Sequence, residues 1–183
     1  MTATSDLDDL YRALGQLVVA TAEMEMRLRD VVGQLAGDDD AGWIIFEGQS
    51  VEWLISNGKA VLGEHSDMRR WPTENTARIT EALNTTQEVA RLRNFLVHGF
   101  WRRGCLGGCE CLPRPARSEA DHRVFHVHRS RHRKGYDSRL VAVADVITLA
   151  TKARTVTTEL RAAYDAAVAA WLGRNDAAIA EAD

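Results

Sequence analysis

Residues 79–99 read ITEALNTTQEVARLRNFLVHG, and the rest of the chain is best read outward from this stretch. Ile79, Leu83, Thr86, Ala90, Arg93 and Val97 follow one another at alternating steps of four and three, which is one face of an α-helix. Pro72 and Thr73 upstream suit its opening, and Gly99 suits its end. Arg93 falls on the stripe, where an aliphatic residue would pack better. A half-buried guanidinium needs a partner.

The same periodicity predicts three more helices. From Asp6 to Ala36, Leu10, Leu14, Leu17, Thr21, Met24, Leu28, Val31 and Leu35 form a stripe, closed by Gly37 and an acidic run. The adjoining row places Glu25 among core-facing positions and makes it the expected partner of Arg93, with Glu23 second. Ser50 is the predicted N-cap of a second helix through Trp53, Leu54 and Val61 to Gly63. Gly58 interrupts its propensity, and residues 43–46 before it suit a short covering turn. Asp145 is the predicted cap of a last helix to Leu172, with Val146, Leu149, Ala153, Val156, Leu160, Ala163, Ala167 and Trp171 on its core face and Gly173 as its stop.

Between the third and fourth helices the pattern changes. Phe100 to Arg102, Val124 to Arg129 and Arg139 to Val143 read as strands, separated by a Gly-, Cys- and Pro-rich loop. The fold expected is mainly α: a four-helix bundle with a small β-hairpin and loop insertion at 100–143, in one domain over 1–183. A hydrophobic content of 45% with 27% charged residues suits a soluble globular chain. No apolar run is long enough to span a membrane, and the start MTATSDLDDL is acidic rather than signal-like, so no membrane partner and a cytoplasmic location are expected.

The net charge of −3 hides an asymmetry. Residues 93–139 hold 11 Lys and Arg against 4 Asp and Glu, while the remainder holds 12 against 22. A basic segment inside an acidic protein points to a polyanionic partner such as RNA. Arg102 and Arg103, followed by Arg129, Arg131, Arg133 and Lys134, are the candidate RNA contacts, with an acidic partner protein as the competing reading.

The chemistry of the 91–101 stretch fits that partner. A guanidinium can fork onto phosphate oxygens, and an imidazole can exchange a proton near neutral pH. A histidine five places after an arginine occurs three times: Arg93 to His98, Arg117 to His122 and Arg123 to His128. Only the first lies in a long helical pattern, carries a polar residue directly after the arginine, and ends at a glycine. RNFLVH, residues 93–98, resembles the signature of the HEPN superfamily of small α-helical domains, many of them metal-independent endoribonucleases. The resemblance covers this motif and the helical layout of the chain. It implies a homodimer with a composite site: His98 as general base or acid, Arg93 steadying the phosphorane, Asn94 orienting His98 or a phosphate oxygen, and Glu25 holding Arg93. It further implies products with 2′,3′-cyclic phosphate and 5′-hydroxyl ends, no cofactor for catalysis, and a role as a toxin or phage-defence factor with an antitoxin or other partner protein.

Two rival readings accompany it. One is a HEPN-like module that dimerises or binds nucleic acid without cutting. The other is an interaction domain stapled by structural zinc through Cys105, Cys109, Cys111 and His126, since three thiolates and an imidazole can make a tetrahedral site. Cys-x3-Cys-x-Cys is not a standard finger spacing, and thiols in a surface loop are the plainer alternative.

Overall fold

The computed structural model describes residues 3–37, 44–68, 71–103, 124–131 and 135–180. Four long helices dominate: α1 (Ala3–Ala36), α2 (Val51–Asp67), α3 (Thr73–Val97) and α4 (Val143–Ala180). Strands β1 (Phe100–Arg102), β2 (Val124–Arg131) and β3 (Gly135–Ala142) form an antiparallel sheet in the order β1-β2-β3, inserted between α3 and α4. The expected mainly helical bundle with a β insertion is what forms, and the three expected strands pair into one sheet, with β3 starting at Gly135 rather than Arg139.

Helix boundaries follow local chemistry. Ser50 caps α2, its hydroxyl accepting from the Trp53 N–H at 3.2 Å. Asp145 does not cap α4. It sits inside the first turn and reaches back to accept the Ala142 N–H at 2.8 Å, half of a capping box. Gly37, at φ 118°, ends α1 as expected. Gly63 and Gly173 do not stop their helices: α2 runs on to Asp67 and α4 to Ala180. A lone glycine weakens a helix by about 1 kcal/mol, which tertiary packing overrides.

α1 packs most extensively on α4, α3 also lies along α4, and α2 bridges α1 and α3. The core holds Leu17, Met24, Leu28, Ile79, Leu83 and Leu160, all fully buried. Thr21 and Thr86 lie on the buried stripes, each hydroxyl donating to the carbonyl four residues earlier, at 2.8 Å. Gly58 has a packing reason: a Cβ there would sit 3.0 Å from Val32 Cγ2, so its absence lets α2 approach α1. Residues 44–46 are helical, and Phe46 covers the core against Trp53, ring centroids 5.9 Å apart. No helix among the described residues is long and apolar enough to cross a membrane.

Two side chains from elsewhere finish helix ends whose carbonyls lack intrahelical donors. Trp101 Nε1 donates to the Leu96 carbonyl at 2.8 Å, and His65 Nε2 meets the Leu35 carbonyl at 2.9 Å while its ring stacks on Trp71. Gly99 marks the turn from α3 into β1, although for a steric reason. Its φ is not left-handed. A Cβ at Gly99 would lie 2.4 Å from Val127 Cγ1 and 2.7 Å from the Phe95 carbonyl oxygen. Only glycine allows β2 to close on the end of α3.

Candidate functional site

The site is built where the sheet overhangs the C-terminal half of α3. Alternation along β2 puts Phe125, Val127 and Arg129 on one face, and pairing with β3 sets Val141, Arg139 and Asp137 opposite them in turn. Near the bundle this row is apolar, with Phe125, Val127 and Val141 buried in the core. Toward the hairpin tip it becomes charged. The result is a cleft of about 810 Å³ that Arg91, Asn94 and Phe95 of α3 share with Arg129, Asp137 and Arg139 of the hairpin, and Glu52 of α2.

Inside the cleft, Asp137 accepts from Arg139 through both carboxylate oxygens, at 3.4 Å from Nε and 3.1 Å from Nη2. The same guanidinium lies over the Phe95 ring, 4.7 Å from its centroid. Arg91 is exposed and forms no ion pair among the described residues. Arg129 Nη1 is sealed from solvent and has no hydrogen-bond partner there. An apolar pocket of about 290 Å³ adjoins the cleft behind Arg139, walled by Leu92, Phe95, Leu96, Val141 and Leu149.

The motif residues occupy two sides of α3. Asn94 lines the cleft. His98 is exposed and is the C-cap of α3, at φ −100° and ψ 6°. Neither His98 nor Arg93 lines the cleft. Arg93 is half-buried, and its Nη1 donates to Asn94 Oδ1 at 2.9 Å while Nε is sealed with no partner among the described residues. The expected Glu25–Arg93 ion pair does not form. Glu25 is half-buried, on a line along α1 that passes from exposed Val18 to fully buried Val32. Glu23 is exposed. The neighbouring carboxamide takes the role expected of Glu25.

The remaining candidates separate. Arg102 lies with its guanidinium carbon 5.9 Å from the Phe100 ring, and Arg103 at the same distance from Phe125. Arg131 belongs to β2, while Arg133 and Lys134 lie outside the described residues, as do Cys105, Cys109 and Cys111. His126 is buried on the outer face of β2 and stacks on His128, ring centroids 6.0 Å apart. Burial, and secondly the charge of His128, lower its pKa below the ordinary histidine value. Among the described residues no group of three or more His, Cys, Asp or Glu could hold a metal ion.

Sequence reasoning missed Arg91, Glu52, Asp137 and Arg139 as site residues. Period-two alternation carried one signal: an inward row that turns from Phe125 and Val127 to Arg129, and from Val141 to Arg139, marks a core face that continues into a polar cleft. Comparison with known proteins adds no relative: no family model, no curated protein and no solved structure matches the chain.

Proposed function

We propose that this protein is a HEPN-like, metal-independent endoribonuclease that works as a homodimer. The observation that supports this reading is the exposed His98 at the end of α3, one turn beyond Asn94, which faces an arginine-lined cleft. His98 takes the proton from a ribose 2′-hydroxyl as the 2′-oxygen attacks phosphorus. The phosphorus–O5′ bond breaks, and the leaving O5′ takes up a proton. A guanidinium stabilises the charge that gathers on the phosphorane. Asn94 orients Arg93 through the 2.9 Å hydrogen bond between them.

Five residues of helix turn Arg93 about 140° away from His98, so one copy does not bring both to one phosphate. A two-fold dimer repairs this by pairing His98 of one protomer with Arg93 of the other. The outer row of α1, with Tyr11, Val18, Val19 and Met26 exposed, is apolar surface that a second copy would cover.

The test is incubation of purified protein with a mixed RNA pool in EDTA, beside His98→Ala and Arg93→Ala variants of unchanged melting temperature. Cleavage by the wild type alone, leaving cyclic phosphate ends, is the expected result. Intact RNA in all three, with RNA retained in a gel shift, favours the second reading, a module that binds RNA without cutting it. The observation in favour of that alternative is that Arg93 and His98 share no cleft within one chain.

A further inference from the structure

We infer that the cleft between α3 and the β2–β3 hairpin is a subsite for a nucleotide of single-stranded RNA, with its phosphate on Arg91 and Arg129 and its base on the face of Arg139. The inference rests on the ribonuclease reading for the identity of the polyanion, and it assigns residues that the motif does not contain.

Three observations carry it. First, the cleft holds two guanidiniums with no carboxylate partner among the described residues: Arg91, open to solvent, and Arg129, whose Nη1 is sealed and without a hydrogen-bond partner. A cationic group left without a counter-charge is costly, and a phosphate that meets the open part of each guanidinium would supply one. Secondly, Arg139 is held over Phe95 by its fork onto Asp137, yet its side chain remains 51% exposed, as an open platform. Guanidinium planes and aromatic rings are the surfaces on which unpaired bases stack. Thirdly, Arg91, Asn94 and His98 lie at steps of three and four, so they share one face of α3. From Asn94 to His98 is about 6 Å along the helix axis, so a strand seated in the cleft continues toward the imidazole.

A peptide rich in carboxylates would satisfy Arg91 and Arg129 but would gain nothing from a planar platform. That difference selects RNA over an acidic protein partner, and it can be measured. Binding of a fluorescein-labelled oligouridylate to the His98→Ala protein is followed by anisotropy across a salt series. Adding Arg91→Gln and Arg129→Gln is expected to weaken binding by about tenfold or more and to lower the salt slope by about 1.4, at about 0.7 per lost contact on a single strand. Arg139→Lys keeps the charge and removes the plane, so about tenfold should be lost with the salt slope unchanged. If the double substitution lowers the melting temperature, Arg91→Glu at its exposed position repeats the test without disturbing packing.

Unchanged affinity in the arginine variants, no binding by the His98→Ala protein, or equal competition by oligoglutamate would each overturn the inference. The binding arm uses protein without the proposed catalytic imidazole. Absence of cleavage by the wild type with binding retained by the His98→Ala protein therefore counts against the catalytic reading alone, and loss of cleft-dependent binding counts against the subsite.

Discussion

The end of α3 and the middle of β2 both carry histidine, and they treat it in opposite ways. His98 stands exposed on a helix cap, one turn from a cleft lined by three arginines. His126 and His128 are 7% and 8% exposed, stacked side by side on a strand. An imidazole on an open helix end can meet a substrate and exchange its proton with it. A buried pair is shielded from any substrate, and burial already favours the neutral form of His126. The same residue type therefore serves proposed chemistry in one region and packing in the other.

That contrast can be broken most directly at His98. His98→Ala is expected to cut RNA cleavage by about 10²–10⁴-fold, the usual contribution of a general acid or base. Unfolding free energy should change by less than about 0.5 kcal/mol at an exposed site. A large stability loss would show that His98 is structural after all.

Gly99 holds the two regions together, and it should be the most sensitive structural position. Gly99→Ala forces a methyl group against Val127 and the Phe95 carbonyl, and the expected loss is about 3 kcal/mol in urea denaturation. A variant as stable as the wild type would mean that the sheet can slide off the helix end at no cost.

The buried pair should show itself in acid. His126 has its folded pKa below the unfolded value of about 6.5, so the unfolded chain binds the proton first. Its contribution is then present above about pH 6.5 and is lost as pH falls through the lower folded value. His126→Gln should flatten the acid side of the stability–pH curve relative to the wild type. Curves that remain parallel would assign the acid sensitivity to carboxylates instead.

The smallest effect is expected at Glu25. Because no ion pair ties it to Arg93 among the described residues, Glu25→Gln should alter stability by less than about 0.5 kcal/mol. A cost comparable with that of Arg93→Ala would restore the interhelical pair, in solution or across a dimer.

Much of the architecture was legible because helical stripes are a local property. Leu10 to Leu35, Ile79 to Ala90 and Val146 to Ala167 were readable as core rows, and nearly all of those positions are buried. Where sequence reading erred, local signals met tertiary packing. Gly63 and Gly173 looked like stops, yet helix continues through both. Glu25 looked core-facing from its spacing and is half-buried, yet the side chain that packing brings to Arg93 is Asn94. Of the site, the motif row was visible and the cleft was not. Arg91 and Arg139 are 48 positions apart in the chain, and no spacing rule joins them.

By itself the sequence determined four amphipathic helices, an alternating insertion, and a cluster of arginine, asparagine and histidine in the last turns of α3. Those follow from steric and hydrophobic preferences acting over three or four residues, or over two in a strand. Tertiary structure alone decided that Asn94 rather than Glu25 holds Arg93. It also decided that Gly99 is needed for the approach of Val127, and that Arg129 and Arg139 line one cleft with Arg91. Each of these depends on how the sheet docks on the helix end, where excluded volume and unpaired charge act between residues far apart in sequence.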